Sequence, residues 1–370
     1  MMKNSFGGYF KRLLKANLRT VIPVAILAML IFIPITSSWQ NHLFFKYTEN
    51  DLGTIQKYYY GSTHVDAMPE NAIEGFETNF STAVAVLICL CWVMPMVSFY
   101  AFKNRRNIDI FNSLPLSRRK IALAHYLSGL LTVLIPAALA FFAEVFVIIG
   151  YNAISLINLG WLAFYFVALM VIGWLYYSMN VFVFNEANHI FDGTAFIIGW
   201  NLVFAFIYYF ANFPDFFEDL ALPWVYIMDI LARIEGVIET TTYPLDFILK
   251  FETTVAITLF WIVLGLLSVA LFFWRCNKKK SEHAGGVSDS IFGYRLLIPL
   301  YIFPQILYSH IGYSYVDITD VAVWFALAFA GYSVCRQSFK FKRSDYWTIG
   351  CMAFVTVIIA ITNFLRELHH

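Results

Sequence analysis

Glu186 and His189 stand three residues apart in Asn185-Glu-Ala-Asn-His-Ile-Phe-Asp192, a spacing that puts both on one face of a helix. An acid and an imidazole so placed can hold a metal ion or pass a proton. A polar turn between two apolar runs accounts for the same residues, with contact to a soluble partner as its task, and that reading is preferred. Two more ionisable side chains lie inside apolar runs. Glu144 is the acid of Ala137–Gly150, and an acid at such depth is costly and often functional. It either faces a water-filled path or reaches water at the outer interface. His125, near the start of the same run, reads as an interfacial side chain rather than a ligand.

Aromatic and amide side chains form the second group of candidates. One run carries Trp200, Asn201, Tyr208, Tyr209 and Asn212, and another carries Trp92, Met94, Pro95 and Met96. Glu144, Trp92, Trp200, Asn201 and Tyr208 are the residues that would line a path for an amphipathic substrate. Ordinary helix packing or an interfacial belt explains the aromatics equally. Several devices are missing from the sequence. It has no Gly-x-x-x-x-Gly-Lys-Ser/Thr phosphate loop, no His-Glu-x-x-His and no Gly-x-Ser-x-Gly. The cysteines (Cys89, Cys91, Cys276, Cys335, Cys351) have neither zinc spacing nor a place in an outer loop, so they read as small buried hydrophobes.

The elements that must position these residues are membrane helices. The 370-residue chain is 60% hydrophobic and 13% charged, where soluble domains carry about 25% charged residues. A net charge of +1 and the lack of a basic stripe with interleaved aromatics leave no nucleic-acid partner in view. A span needs about 20 apolar residues. That criterion predicts nine spans, at 21–39, 81–102, 121–150, 160–184, 193–213, 253–274, 294–312, 320–336 and 346–365. The seventh is interrupted by Arg295, Pro299 and Pro304. Residues 1–20 read as a basic amphipathic helix at the interface, without the cleavage site of a signal peptide.

Basic residues set the orientation. With the N-terminus in the cytoplasm, Lys3, Lys11, Arg12, Lys15 and Arg19 fall inside, as do the cations of Lys103–Lys120, Arg275 with Lys278–Lys280, and Arg336 with Lys340, Lys342 and Arg343. The acids concentrate in two long outer loops, 40–80 and 214–251. The first is polar enough for a small external subdomain. The second has apolar residues at helical spacing among acids and reads as short helices dipping into the outer leaflet. The segment 276–292 reads as a cytoplasmic linker, with 293–370 a membrane segment of about three spans beyond it.

Lys103–Lys120 is more than a charged stop. Ile108, Ile110, Phe111, Leu114 and Leu116 give it an apolar side, as befits a short cytoplasmic element that touches a soluble motor. Its residues Arg106-Asn-Ile-Asp109 and Ser113-Leu-Pro-Leu-Ser-Arg-Arg119, followed by Leu127-Ser-Gly-Leu130, resemble permease subunits of type-2 ABC exporters, closest to the bacterial Ytr-like group. Ser281-Glu-His-Ala-Gly285 is similar to the same group.

The resemblance implies an all-α polytopic fold. It comprises a six-span exporter core over 21–275, behind the N-terminal amphipathic helix, with about three further C-terminal spans that depart from the family pattern. It implies that 103–120 holds a coupling helix docking on a separate ATPase, with Arg105, Arg106, Asp109, Phe111, Leu114, Pro115, Arg118 and Arg119 in that contact. Glu186 and His189 of the 185–192 turn would be pushed by the same subunit. The chain would then be a non-catalytic permease of the bacterial plasma membrane, surrounded by lipid and paired with a second permease chain, the same or different. It would need no cofactor of its own, since ATP and magnesium would sit on the partner ATPase. The exported substrate would be hydrophobic or amphipathic: a peptide, a lipid or a drug. Two other classes stay open, a mechanical transducer that signals to envelope proteins without transport, and an ion-coupled carrier or intramembrane enzyme built on Glu144, His125 or Glu186.

Overall fold

The structure, a computed structural model of the chain, describes residues 6–40, 46–49, 55–58, 81–104, 116–150, 159–210, 244–278, 286, 288, 290–302, 318–336 and 340–368. Its helices are α1 (Phe6–Gln40), α2 (Ser81–Phe99), α3 (Arg118–Gly150), α4 (Leu159–Glu186), α5 (Ile190–Phe210) and α6 (Pro244–Lys278). A shorter apolar helix, α7 (Ile291–Ile302), opens on a π-turn at Ile291–Arg295. Two more, α8 (Ile318–Arg336) and α9 (Arg343–Leu368), complete the chain.

Four stretches are long and apolar enough to cross a membrane: Thr82–Lys103, Arg118–Phe146, Tyr165–Glu186 and Leu259–Cys276. They mark a membrane protein. In lipid the backbone must satisfy its own polar groups, and continuous helices do so within each segment. Large side chains such as Leu30, Phe146, Val263 and Phe354 are exposed on the helix surfaces, where acyl chains are the natural solvent. Burial of apolar area drives little association between helices in that solvent, so close approach matters more. The seams combine small residues with large rings such as Phe141, Tyr177, Phe184 and Phe272. Ala83, Ala124, Ala137 and Ala140 are fully buried.

The main core is built by α1 to α6 together with the start of α7. Within it α3 packs against both α1 and α2, while α4 packs against α2 and α6. A second, small cluster of Ile302, Ala328 and Met352 joins α7, α8 and α9.

Each of the nine expected spans coincides with a helix over its described residues, and four of these helices contain a stretch long and apolar enough to cross a membrane. Residues 6–20 of the expected interfacial helix and the first span form one unbroken element in α1, where Thr20 Oγ1 donates back to the Asn17 carbonyl at 2.8 Å. The seventh expected span is described only as far as Ile302, and its remainder lies outside the described residues. Among the described residues, strands occur only in the 40–80 loop. There β1 (Lys46–Glu49) pairs antiparallel with β2 (Ile55–Tyr58), Lys46 opposite Tyr58 and Glu49 opposite Ile55. The dipping helices expected at 214–251 fall mostly outside the described residues, and the last part of that stretch belongs to α6.

Candidate functional site

One end of the bundle gathers the residues singled out between the spans. After α2 the chain tightens into a 3-10 turn, Tyr100–Lys103, which carries Lys103 inward until it is only 4% exposed. Its Nζ donates to the carbonyl oxygens of Asn185, at 3.1 Å, and Ala187. It also lies 5.2 Å from the centre of the Phe184 ring. These carbonyls close α4, where the last turn has no helical donors left and a cation is favoured. The beginning of the 103–120 element and the 185–192 turn are thereby joined.

The acids of that turn have definite partners. Glu186 accepts from the Ser290 hydroxyl and faces Arg275 Nε at 3.6 Å. Asp192 accepts from Ser288 Oγ at 2.6 Å and from the Tyr294 hydroxyl at 2.9 Å. Ser288 Oγ in turn accepts the backbone N–H of Asn188 at 2.7 Å. His189 is used locally: its Nδ1 accepts from the Phe191 N–H at 3.3 Å, and the two rings stack 5.3 Å apart. Glu186 and His189 therefore serve different partners. No group of three or more metal-ligating side chains occurs among the described residues.

His125 ties three elements together at the same end. Its Nδ1 lies 2.7 Å from the Ser98 carbonyl and must carry the proton. In the neutral imidazole Nε2 is then an acceptor, and the Tyr9 hydroxyl donates to it at 2.9 Å. Burial pushes Tyr9 up to about 12, so its hydroxyl keeps the proton it donates. Phe102 meets the imidazole edge-on at 4.8 Å.

Glu144 lies at the opposite end, 4% exposed. Its carboxylate accepts the backbone N–H groups of Thr82 at 3.0 Å and Ala83 at 3.3 Å. It thus caps α2 from a neighbouring helix, satisfying donors that the first helical turn leaves unpaired.

The other candidates divide. Trp92 and Asn201 meet through Tyr176, whose hydroxyl accepts from Trp92 Nε1 and donates to Asn201 Oδ1 at 2.6 Å. Asn201 Nδ2 continues to Asn180 Oδ1 at 3.2 Å. Trp200 turns instead to the Phe292 carbonyl, at 2.9 Å from Nε1. Sequence reasoning missed Tyr176 and Asn180, although their four-residue spacing in an apolar run puts them on one face. A second missed set links Trp174 Nε1 to the Tyr126 hydroxyl at 2.8 Å and that hydroxyl to Ser178 Oγ at 2.6 Å. Arg118 and Arg119 are exposed in the first turn of α3. Arg105, Arg106, Asp109, Phe111, Leu114 and Pro115 lie outside the described residues, as does the side chain of Tyr208.

The motif Leu127-Ser-Gly-Leu130 has a packing reason. A Cβ at Gly129 would fall on the Tyr177 hydroxyl and 2.6 Å from Ser98 Oγ, so the absent side chain lets the fully buried Tyr177 ring close over α3.

Compared with family models, curated proteins and solved structures, the chain matches none.

Proposed function

We propose that this chain is the permease subunit of an ATP-driven ABC exporter. It lies in the bacterial plasma membrane with its N-terminus in the cytoplasm, and a separate ATPase energises it. What carries the reading is the Lys103 contact. It joins the element that bears the exporter-like motif to the 185–192 turn, so a push on either is transmitted to α2 and α4 together. Closure of the ATPase on ATP moves this end of the bundle, and the spans pass between two states that the motor favours unequally. The substrate is hydrophobic or amphipathic and leaves on the side of the acidic loops. Asp109 and Phe111 contact the ATPase.

The test is a gentle detergent pull-down of the tagged chain, with mass spectrometry and an ATPase assay of the eluate. A stoichiometric Walker-motif protein with vanadate-sensitive hydrolysis is the expected result. Asp109 and Phe111 variants should insert normally yet lose substrate-stimulated hydrolysis. A lone chain without nucleotide hydrolysis, even after crosslinking in cells, would overturn the reading. The β1–β2 pair in the 40–80 loop favours a second reading, a mechanical transducer acting on envelope proteins through that loop. ATPase control by an envelope partner, rather than by substrate, would select it.

A further inference from the structure

Ser288 and the turn Ser290–Arg295 begin the stretch that exceeds the six-span pattern, and they lie against the 185–192 turn. Ser290 occupies one oxygen of Glu186, and Ser288 and Tyr294 occupy both oxygens of Asp192. Ser288 also takes the N–H of Asn188, so one hydroxyl holds backbone and side chain of the turn at once. Ring packing backs these bonds. Phe196 meets Tyr294 edge-on at 4.7 Å, and a Cβ at Gly293 would stand 2.7 Å from Phe196 Cε2. One turn further on, Leu297 packs on Gly199.

Beyond this seam α7, α8 and α9 have a small core of their own. The polar contacts to the 185–192 turn are hydroxyl–carboxylate bonds at the end of the helices, beside the packing of Phe292, Tyr294 and Leu297 on the main core. Asp192, Ser290 and Tyr294 are only partly buried there, so water can replace their partners when the bonds part. Such a set holds or releases together, as befits an element with two discrete arrangements.

We infer that Ser288 together with Ser290–Arg295 is a latch: it holds the Asn185–Asp192 turn in one position, and its release lets the turn shift. The last three helices thereby set how readily this end of the bundle moves. That the movement is driven by an ATPase rests on the permease reading, whereas the latch itself does not.

Cys276 is a native reporter, because its Sγ lies 3.9 Å from Asn185 Nδ2 at the same seam. The experiment measures maleimide labelling of Cys276 by peptide mass spectrometry, and trypsin cleavage at Lys278–Lys280, on the intact purified chain. Tyr294→Phe and the Ser288→Ala/Tyr294→Phe pair should label and cleave roughly tenfold faster than the parent, as expected for a local opening made easier. Unchanged rates in both variants would overturn the latch. Should the pair fail to fold, Tyr294→Phe alone decides, since it removes one hydroxyl and keeps the ring. A second arm uses whatever ATPase complex co-purifies: ATP with vanadate should alter Cys276 labelling in the parent. Fast labelling in the variants with no nucleotide effect in the complex would support the latch and overturn its coupling to the ATPase. If no ATPase co-purifies, the permease reading fails, and the first arm still judges the latch.

Discussion

The Glu144 carboxylate accepts the backbone N–H of Thr82 at 3.0 Å, between residues 62 apart in sequence. An acid within an apolar run therefore acts on a helix end. This is a third answer beside the water-filled path and the water-reaching interface that the sequence left open.

Replacing Glu144 tests the cap. Glu144→Ala leaves two buried donors without an acceptor and should cost about 1–3 kcal/mol. Glu144→Gln keeps one acceptor oxygen but puts an amide donor in place of the other, and should cost about 1 kcal/mol. Thermal unfolding in detergent gives the order. Transport by the Gln variant should fall only modestly. Complete loss with an intact fold would argue for ion coupling.

Gly129→Ala should destabilise by about 1–3 kcal/mol, because the added methyl meets the Tyr177 hydroxyl and Ser98 Oγ. Tyr177→Phe removes the hydroxyl it strikes. The double variant should therefore lose less than the sum of the two single ones. Strict additivity in the unfolding midpoints would show that the clash lies elsewhere.

His125→Phe removes the acceptor for Tyr9 and the donor to the Ser98 carbonyl in one change. We expect a loss of about 1–3 kcal/mol. Adding Tyr9→Phe should then cost almost nothing more, since its partner is already gone. Protease protection of α1 in membrane vesicles reads the consequence. The His125 variant should release the N-terminal residues to cleavage sooner than the parent.

Lys103→Met strips the donor from the end of α4 and should lower stability by about 1–3 kcal/mol. Lys103→Gln keeps a shorter donor and should fall between Met and the parent. On the proposed permease reading, the Met variant in a co-purified ATPase complex should hydrolyse ATP without response to substrate. Unaltered coupling in a folded Met variant would separate the two segments that Lys103 joins.

Much of the helical layout was legible, because long apolar runs leave the backbone few alternatives in lipid. The polar turn at 185–192 was legible for the same reason: it interrupts such a run. Lys103 was not. It looked like one more surface cation, yet its partners are main-chain carbonyls 82 and 84 residues away, which residue type does not announce. Ser288 and Ser290 were missed similarly. In a linker rich in Gly, Ser and Lys, small hydroxyls point to no partner until the acids of the turn are placed beside them.

The stretch from Thr82 to Lys103 is held at both tips, by Glu144 at its start and by the carbonyls of Asn185 and Ala187 at its close. Each residue of a helix advances it by about 1.5 Å and turns it by about 100°. Deleting or inserting a single residue anywhere between would swing Lys103 away from its carbonyls while Thr82 stayed put. Substitutions on the lipid side of this helix should be freely tolerated, whereas its residue count should not. It behaves as a gauge block, cut to length by what it meets at either end rather than by the thickness of the bilayer.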